Sequence, residues 1–118
     1  MINLFLVASG GAAGAVLRYV ISGIFKFYLL NSLYSTLFVN ILGSFLIGYL
    51  ISLGIGKNFS ENFIKYFLII GFLGSFTTFS AFSYEVVDLF ISNKFFLTFF
   101  YIFFSISLCL VAAYIGLN

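Results

Sequence analysis

Histidine is absent from this 118-residue chain, and cysteine occurs once, at Cys109. With no imidazole and one thiol, the sequence offers no ligand set for a zinc, haem or iron–sulfur centre and no intrachain disulfide. Charge is scarce: five basic and three acidic side chains make up 7% of the residues, whereas 64% are hydrophobic and the mean hydropathy is +1.25. A soluble fold of this size could not cover so much apolar surface, so the sequence reads as an integral membrane protein. The opening stretch, MINLFLVASGGAAGAVLRYV, has no basic residue ahead of its apolar part. It lacks the charged start of a cleaved signal peptide and is expected to stay in the mature chain. Nothing in the sequence resembles a nucleotide-binding loop, and neither an enzyme nor a nucleic-acid partner is expected.

Four apolar runs can be drawn, about Ile2 to Phe25, Leu33 to Leu53, Phe63 to Ile91, and Phe95 to Leu117. The joints are short and hold most of the lysines together with Asn31, Asn58, Asn62 and Asn93, as connections between antiparallel spans should. The expectation is an all-α membrane protein of four transmembrane helices, with residues 1–118 forming a single domain. Lysine and arginine usually mark the cytoplasmic side, yet here Lys26 and Lys94 on one side balance Lys57 and Lys65 on the other, with Arg18 undecided inside the first run. So even a balance arises by chance when loop charges are few, or it reflects insertion in both orientations. A chain that inserts both ways can pair with an inverted copy of itself, and four spans alone make a thin wall for a pathway. Gly10 and Gly14 form a GxxxG pattern, and Ser44 with Gly48 repeats the small-residue spacing; both read as helix-packing faces.

The third run has 29 residues, about 43 Å as a straight α-helix at ~1.5 Å per residue, against a hydrocarbon core of about 30 Å. Inside it lies GFLGSFTTFSAF, residues 71–82, where glycines, paired threonines and Ser80 interrupt apolar sequence. Either the helix tilts strongly or it breaks near Gly74 and Thr77, and a break frees backbone carbonyls that a buried ion, water or partner chain must satisfy.

Few side chains could carry chemistry. Arg18, deep in the first run, should face a water-filled cavity, a carboxylate or an anion, unless the span ends early and the guanidinium snorkels to the headgroups. Asn40 has Thr36 and Ser44 one helical turn before and after it; it either holds the bundle by an interhelical hydrogen bond or serves a ligand. Phe79 and Phe82, three apart, share a helical face and could turn positive ring edges toward an anion, although among 19 phenylalanines a lipid-facing or core role is the plainer reading. Glu85 and Asp88 could form a proton relay or metal pair, or could sit near the membrane surface. Tyr101, Ser105 and Cys109 recur every four residues and align three polar groups on one face of the last run.

Together, GGAAGAVLRY, TLFVNILGSFLIG and GFLGSFTTFSAFSYE resemble the three signature segments of the Fluc (CrcB) fluoride channel family, in order and along the whole chain. The resemblance implies a broken third helix and an antiparallel, dual-topology homodimer with two pores. Such a dimer would export cytoplasmic fluoride passively across the bacterial inner membrane and so lower its toxicity. It further implies a structural sodium ion at the dimer centre, held by the backbone carbonyls of Gly74 and Thr77 and their copies. Fluoride would be met by Asn40, Phe79 and Phe82 and by a hydroxyl track of Ser80, Tyr101 and Ser105, with Arg18 in the vestibule and Glu85 at the family's glutamate position. Ala81 stands where the family string commonly has a hydroxyl residue, which removes part of that track. The competing reading is a small four-span proton-coupled cation or multidrug antiporter. It requires a carboxylate in the first span, where this chain has Arg18 and no acidic residue before Glu61.

Overall fold

A computed structural model describes residues 1–54 and 61–118. Lys57 and Asn58, which entered the charge balance and the second joint above, lie outside the described residues. The described chain is helical throughout: α1 (Ile2–Phe27), α2 (Ser32–Gly54), a π-helix (Phe63–Leu73), the single turn α3 (Gly74–Phe76), α4 (Phe79–Ile91) and α5 (Phe95–Leu117). Among the described residues four segments are long and apolar enough to cross a membrane, with the π-helix, α3 and α4 making up the third. The molecule is 50 Å along its longest axis and 28 by 24 Å across, the dimensions of a bundle that passes through both headgroup layers.

The turns after α1 and after α4 are made without proline or glycine. Leu29 and Asn93 each adopt a left-handed conformation just past a helix end, at φ of 61° and 62°. The following amides, of Leu30 and Lys94, reach back to the carbonyls of Phe25 and Leu89. This is the geometry of a Schellman cap, which satisfies carbonyls that the helix end would otherwise strand.

Packing follows the small residues. Helix α1 lies against the π-helix, and α2 against α5. A Cβ added at Gly10 or Gly14 would land on the carbonyl oxygens of Phe67 and Phe72, so the GxxxG pattern of α1 is the face that lets the two backbones touch. Across the other pair, a Cβ at Gly48 would strike the Ala113 carbonyl and one at Gly116 the Phe45 carbonyl. Gly48, of the Ser44–Gly48 pair, is one of the positions where these two backbones touch. Between the pairs sit two apolar clusters, Val39 with Leu73 and Phe76, and Phe82 with Leu89 and Tyr101.

The first part of the third span is wound with i→i+5 hydrogen bonds, more residues per turn than an α-helix. That winding shortens the segment, so a 29-residue run fits a thinner slab than α-helical counting allows. Gly71 supports it: with no side chain there, the Gly10 backbone and the Val7 carbonyl come within contact distance.

The close approach of α2 and α5 is testable. Gly48→Val should lower stability by about 1–3 kcal/mol through overpacking against Ala113. Gly23→Val, with open space around the position, should leave the thermal midpoint in detergent unchanged.

Candidate functional site

Helical winding stops after Phe76. Thr77 and Thr78 are extended, with φ, ψ of −83°, 158° and −149°, 115°, and winding resumes at Phe79. Each peptide group that loses its helical partner here is informative, because lipid offers no water to replace it. In a continuing helix the Thr78 amide would go to the Gly74 carbonyl four residues back. Instead it donates to Oδ1 of Asn40 at 2.8 Å, while Nδ2 of Asn40 donates to the Thr78 carbonyl at 3.1 Å. Asn40 thus clamps both sides of one extended residue from a neighbouring span. The Phe79 amide would have gone to the Ser75 carbonyl, which instead accepts from Nε of Arg18 at 3.0 Å. The Ala81 amide, rather than reaching Thr77, is capped by the Thr78 hydroxyl at 3.1 Å, a side-chain N-cap for α4.

The exchange leaves the carbonyls of Gly74 and Thr77 without their helical donors. Both residues line a cavity of about 390 Å³ whose other walls include Asn40, Phe79, Phe82 and Ser105. The Phe79 and Phe82 rings lie 5.6 Å apart, tilted by 43°. Phe82 is buried, whereas Phe79 is 78% exposed and projects from the chain beside the interruption. Asn40 has spent one of its two N–H groups on Thr78, and the other has no partner among the described residues. Ser105 is buried with a hydroxyl that has no partner among the described residues, a costly state unless something in the cavity accepts from or donates to it.

A second cavity, of about 320 Å³, lies on the other side of Thr78 and Ala81 and is bounded by Arg18, Ser22, Ser35, Thr36 and Glu85. Glu85 is buried: Oε1 accepts from the Thr36 hydroxyl at 2.5 Å and Oε2 from the Tyr101 hydroxyl at 2.9 Å. Asp88 is exposed, whereas Glu85 is covered by protein and ties α2, α4 and α5 together through two hydrogen bonds that offset its loss of hydration. Arg18 and Glu85 share this cavity while each holds partners elsewhere.

Of the residues singled out from sequence, Asn40, Gly74, Thr77, Phe79, Phe82 and Ser105 meet in the first cavity. Three others stand apart. Tyr101 packs its ring 5.3 Å from that of Phe82, but its hydroxyl is committed to Glu85. Ser80 is exposed, with its hydroxyl 3.2 Å from that of Thr78. Arg18 belongs to the second cavity. Sequence reasoning missed the Thr36–Glu85–Tyr101 cluster; the only signal was a carboxylate between apolar residues in a span, which the spacing to Asp88 disguised as a surface pair.

Fold and site define a small multi-pass membrane protein whose few polar side chains gather around an interruption in the third span. The chain belongs to the CrcB family: the family described as "CrcB-like protein, Camphor Resistance (CrcB)" matches residues 5–117. It is 44% identical over 119 residues to the "Fluoride-specific ion channel FluC" of Agrobacterium fabrum, covering 99% of this chain and 94% of that one. Proteins of the same name from Campylobacter jejuni and Dehalococcoides mccartyi are 43% and 41% identical, covering 98% and 97% of this chain and 96% and 88% of theirs.

Removing the clamp on Thr78 should weaken the fold itself. Asn40→Ala leaves a buried peptide group without partners and should cost about 1–3 kcal/mol, read as a lower unfolding midpoint in detergent. An unchanged midpoint would show that Thr78 finds other partners without Asn40.

Proposed function

We propose that this protein is a fluoride-selective channel that lets cytoplasmic fluoride leave passively across the inner membrane and so lowers its toxicity. The observation that carries the reading is the first cavity, whose walls bring together Asn40, Ser105 and the rings of Phe79 and Phe82. The relatives' names agree with it and give no support to the antiporter alternative. Fluoride is small and holds its water tightly, so a path through lipid must offer donors where water is removed. Asn40 and Ser105 supply neutral donors, and ring edges supply weak positive potential that does not trap the ion. Arg18, in the second cavity, draws anions toward the path while its own position is pinned by Ser75.

In this reading the working unit is a homodimer of two oppositely inserted copies, with two pores, surrounded by lipid. Support comes from the exposed side of the interruption: Phe79 and Gly74 are uncovered in one chain, and a large ring next to polar backbone suits a protein partner better than lipid tails. The balanced lysines favour insertion both ways. The carbonyls of Gly74 and Thr77, deprived of amide donors, fit a hard cation that prefers oxygen ligands, and these residues with their copies would hold a structural sodium ion. Its charge would raise the local potential for a passing anion.

The test is fluoride efflux from liposomes containing the reconstituted protein. Phe79→Ile and Phe82→Ile should each abolish flux while the dimer still elutes intact, because the replacement keeps an apolar side chain and removes the ring edge. Asn40→Asp should also block flux, through like-charge repulsion and loss of the amide donor. Unchanged flux in both phenylalanine variants would sink the aromatic pathway.

A further inference from the structure

Helix α2 meets the interruption at Asn40 and Gly43, three residues apart and so on one helical face. Asn40 binds the amide and the carbonyl of Thr78. Gly43 is buried, and a Cβ added there would fall on the methyl carbon of Thr77. The methyl group thus occupies the space that a side chain on α2 would take. The rest of Thr77 is held as well: its hydroxyl donates to the Leu73 carbonyl at 2.9 Å, and its amide donates to the same oxygen at 3.1 Å. A β-branched side chain has few χ1 choices, so the methyl group leaves the gap only if the hydroxyl gives up its bond or the backbone shifts.

The peptide between Thr77 and Thr78 is therefore gripped twice. A trans peptide points its C=O opposite to its N–H, and this N–H goes to Oδ1 of Asn40 at 2.8 Å. The Thr77 carbonyl accordingly faces away from Asn40, and the methyl group seated at Gly43 keeps the peptide from turning. We infer that Gly43 is a positioning residue: the gap it leaves seats Thr77, fixes the direction of the Thr77 carbonyl, and so sets how tightly that oxygen holds a cation. The cation rests on the reading proposed above, whereas the lock between Gly43 and Thr77 does not. Threonine suits the lock in both its parts. Serine would keep the hydroxyl bond and empty the gap; valine would fill the gap and lose the bond.

The experiment uses the full-length protein, purified without sodium in N-methyl-D-glucamine buffer, and follows its unfolding midpoint in detergent as sodium chloride is added. A cation bound by the folded protein raises that midpoint. Gly43→Ala should lower the sodium-free midpoint and raise the sodium concentration of half effect by about 10–100-fold, the range for residues that orient metal ligands. Thr77→Ser alone leaves a void and should lower the midpoint slightly. Combined with Gly43→Ala it makes room for the new methyl group, so the double variant should be more stable than Gly43→Ala and regain the wild-type response to sodium. A generally loosened bundle would not show this reversal of sign. A wild-type sodium response in Gly43→Ala, or a double variant no better than Gly43→Ala, overturns the inference. If Gly43→Ala does not fold, the double variant decides in its place: folding with the wild-type response supports the lock, and failure to fold overturns it. If sodium leaves the wild-type midpoint unchanged, the cation reading fails and the positioning role falls with it, while the sodium-free midpoints still decide whether the lock exists.

Discussion

A peptide group inside a bilayer has no water to turn to, and the two extended residues Thr77 and Thr78 therefore dictate where polar side chains must stand. Three spans contribute. Arg18 from α1 takes the Ser75 carbonyl, Asn40 from α2 takes both sides of Thr78, and the Thr78 hydroxyl caps the helix that follows. Each of these contacts replaces a bond that a continuous helix would have made within itself. In return the carbonyls of Gly74 and Thr77 lose their helical donors, and both residues line a cavity.

The rest of the fold holds that arrangement in place. Direct backbone contact between α1 and the π-helix, and between α2 and α5, depends on glycines whose Cβ atoms would collide with facing carbonyls. Gly43 of α2 leaves room for the Thr77 methyl group at the interruption, which a side chain there would meet. The Thr36–Glu85–Tyr101 cluster ties the middle of α4 to α2 and α5. Two cavities result, one lined by rings and neutral donors and one bearing charged groups, and Thr78 stands between them.

Much of this was legible from the residues. Span limits followed from hydropathy alone: the third and fourth were read as Phe63 to Ile91 and Phe95 to Leu117, and the structure has the same ends, while the first runs two residues further, to Phe27. The packing role of Gly10 and Gly14 was readable because its spacing is local. What could not be read was set by partners distant in sequence. The amide of Asn40 binds a backbone 38 residues away, Glu85 finds hydroxyls on two other helices, and Tyr101 is thereby taken out of the row it forms with Ser105. The π winding also escaped, since its apolar pattern differs little from that of an α-helix.

The central claim is that the polar interior built around Thr78 is a path for fluoride and rejects larger anions. Liposomes containing the protein, loaded with potassium fluoride and released by valinomycin, report it directly through a fluoride electrode, with chloride-loaded vesicles run in parallel. The account predicts rapid fluoride efflux and retained chloride. Retention of fluoride by vesicles that hold folded protein, or chloride leaving as fast as fluoride, would contradict it.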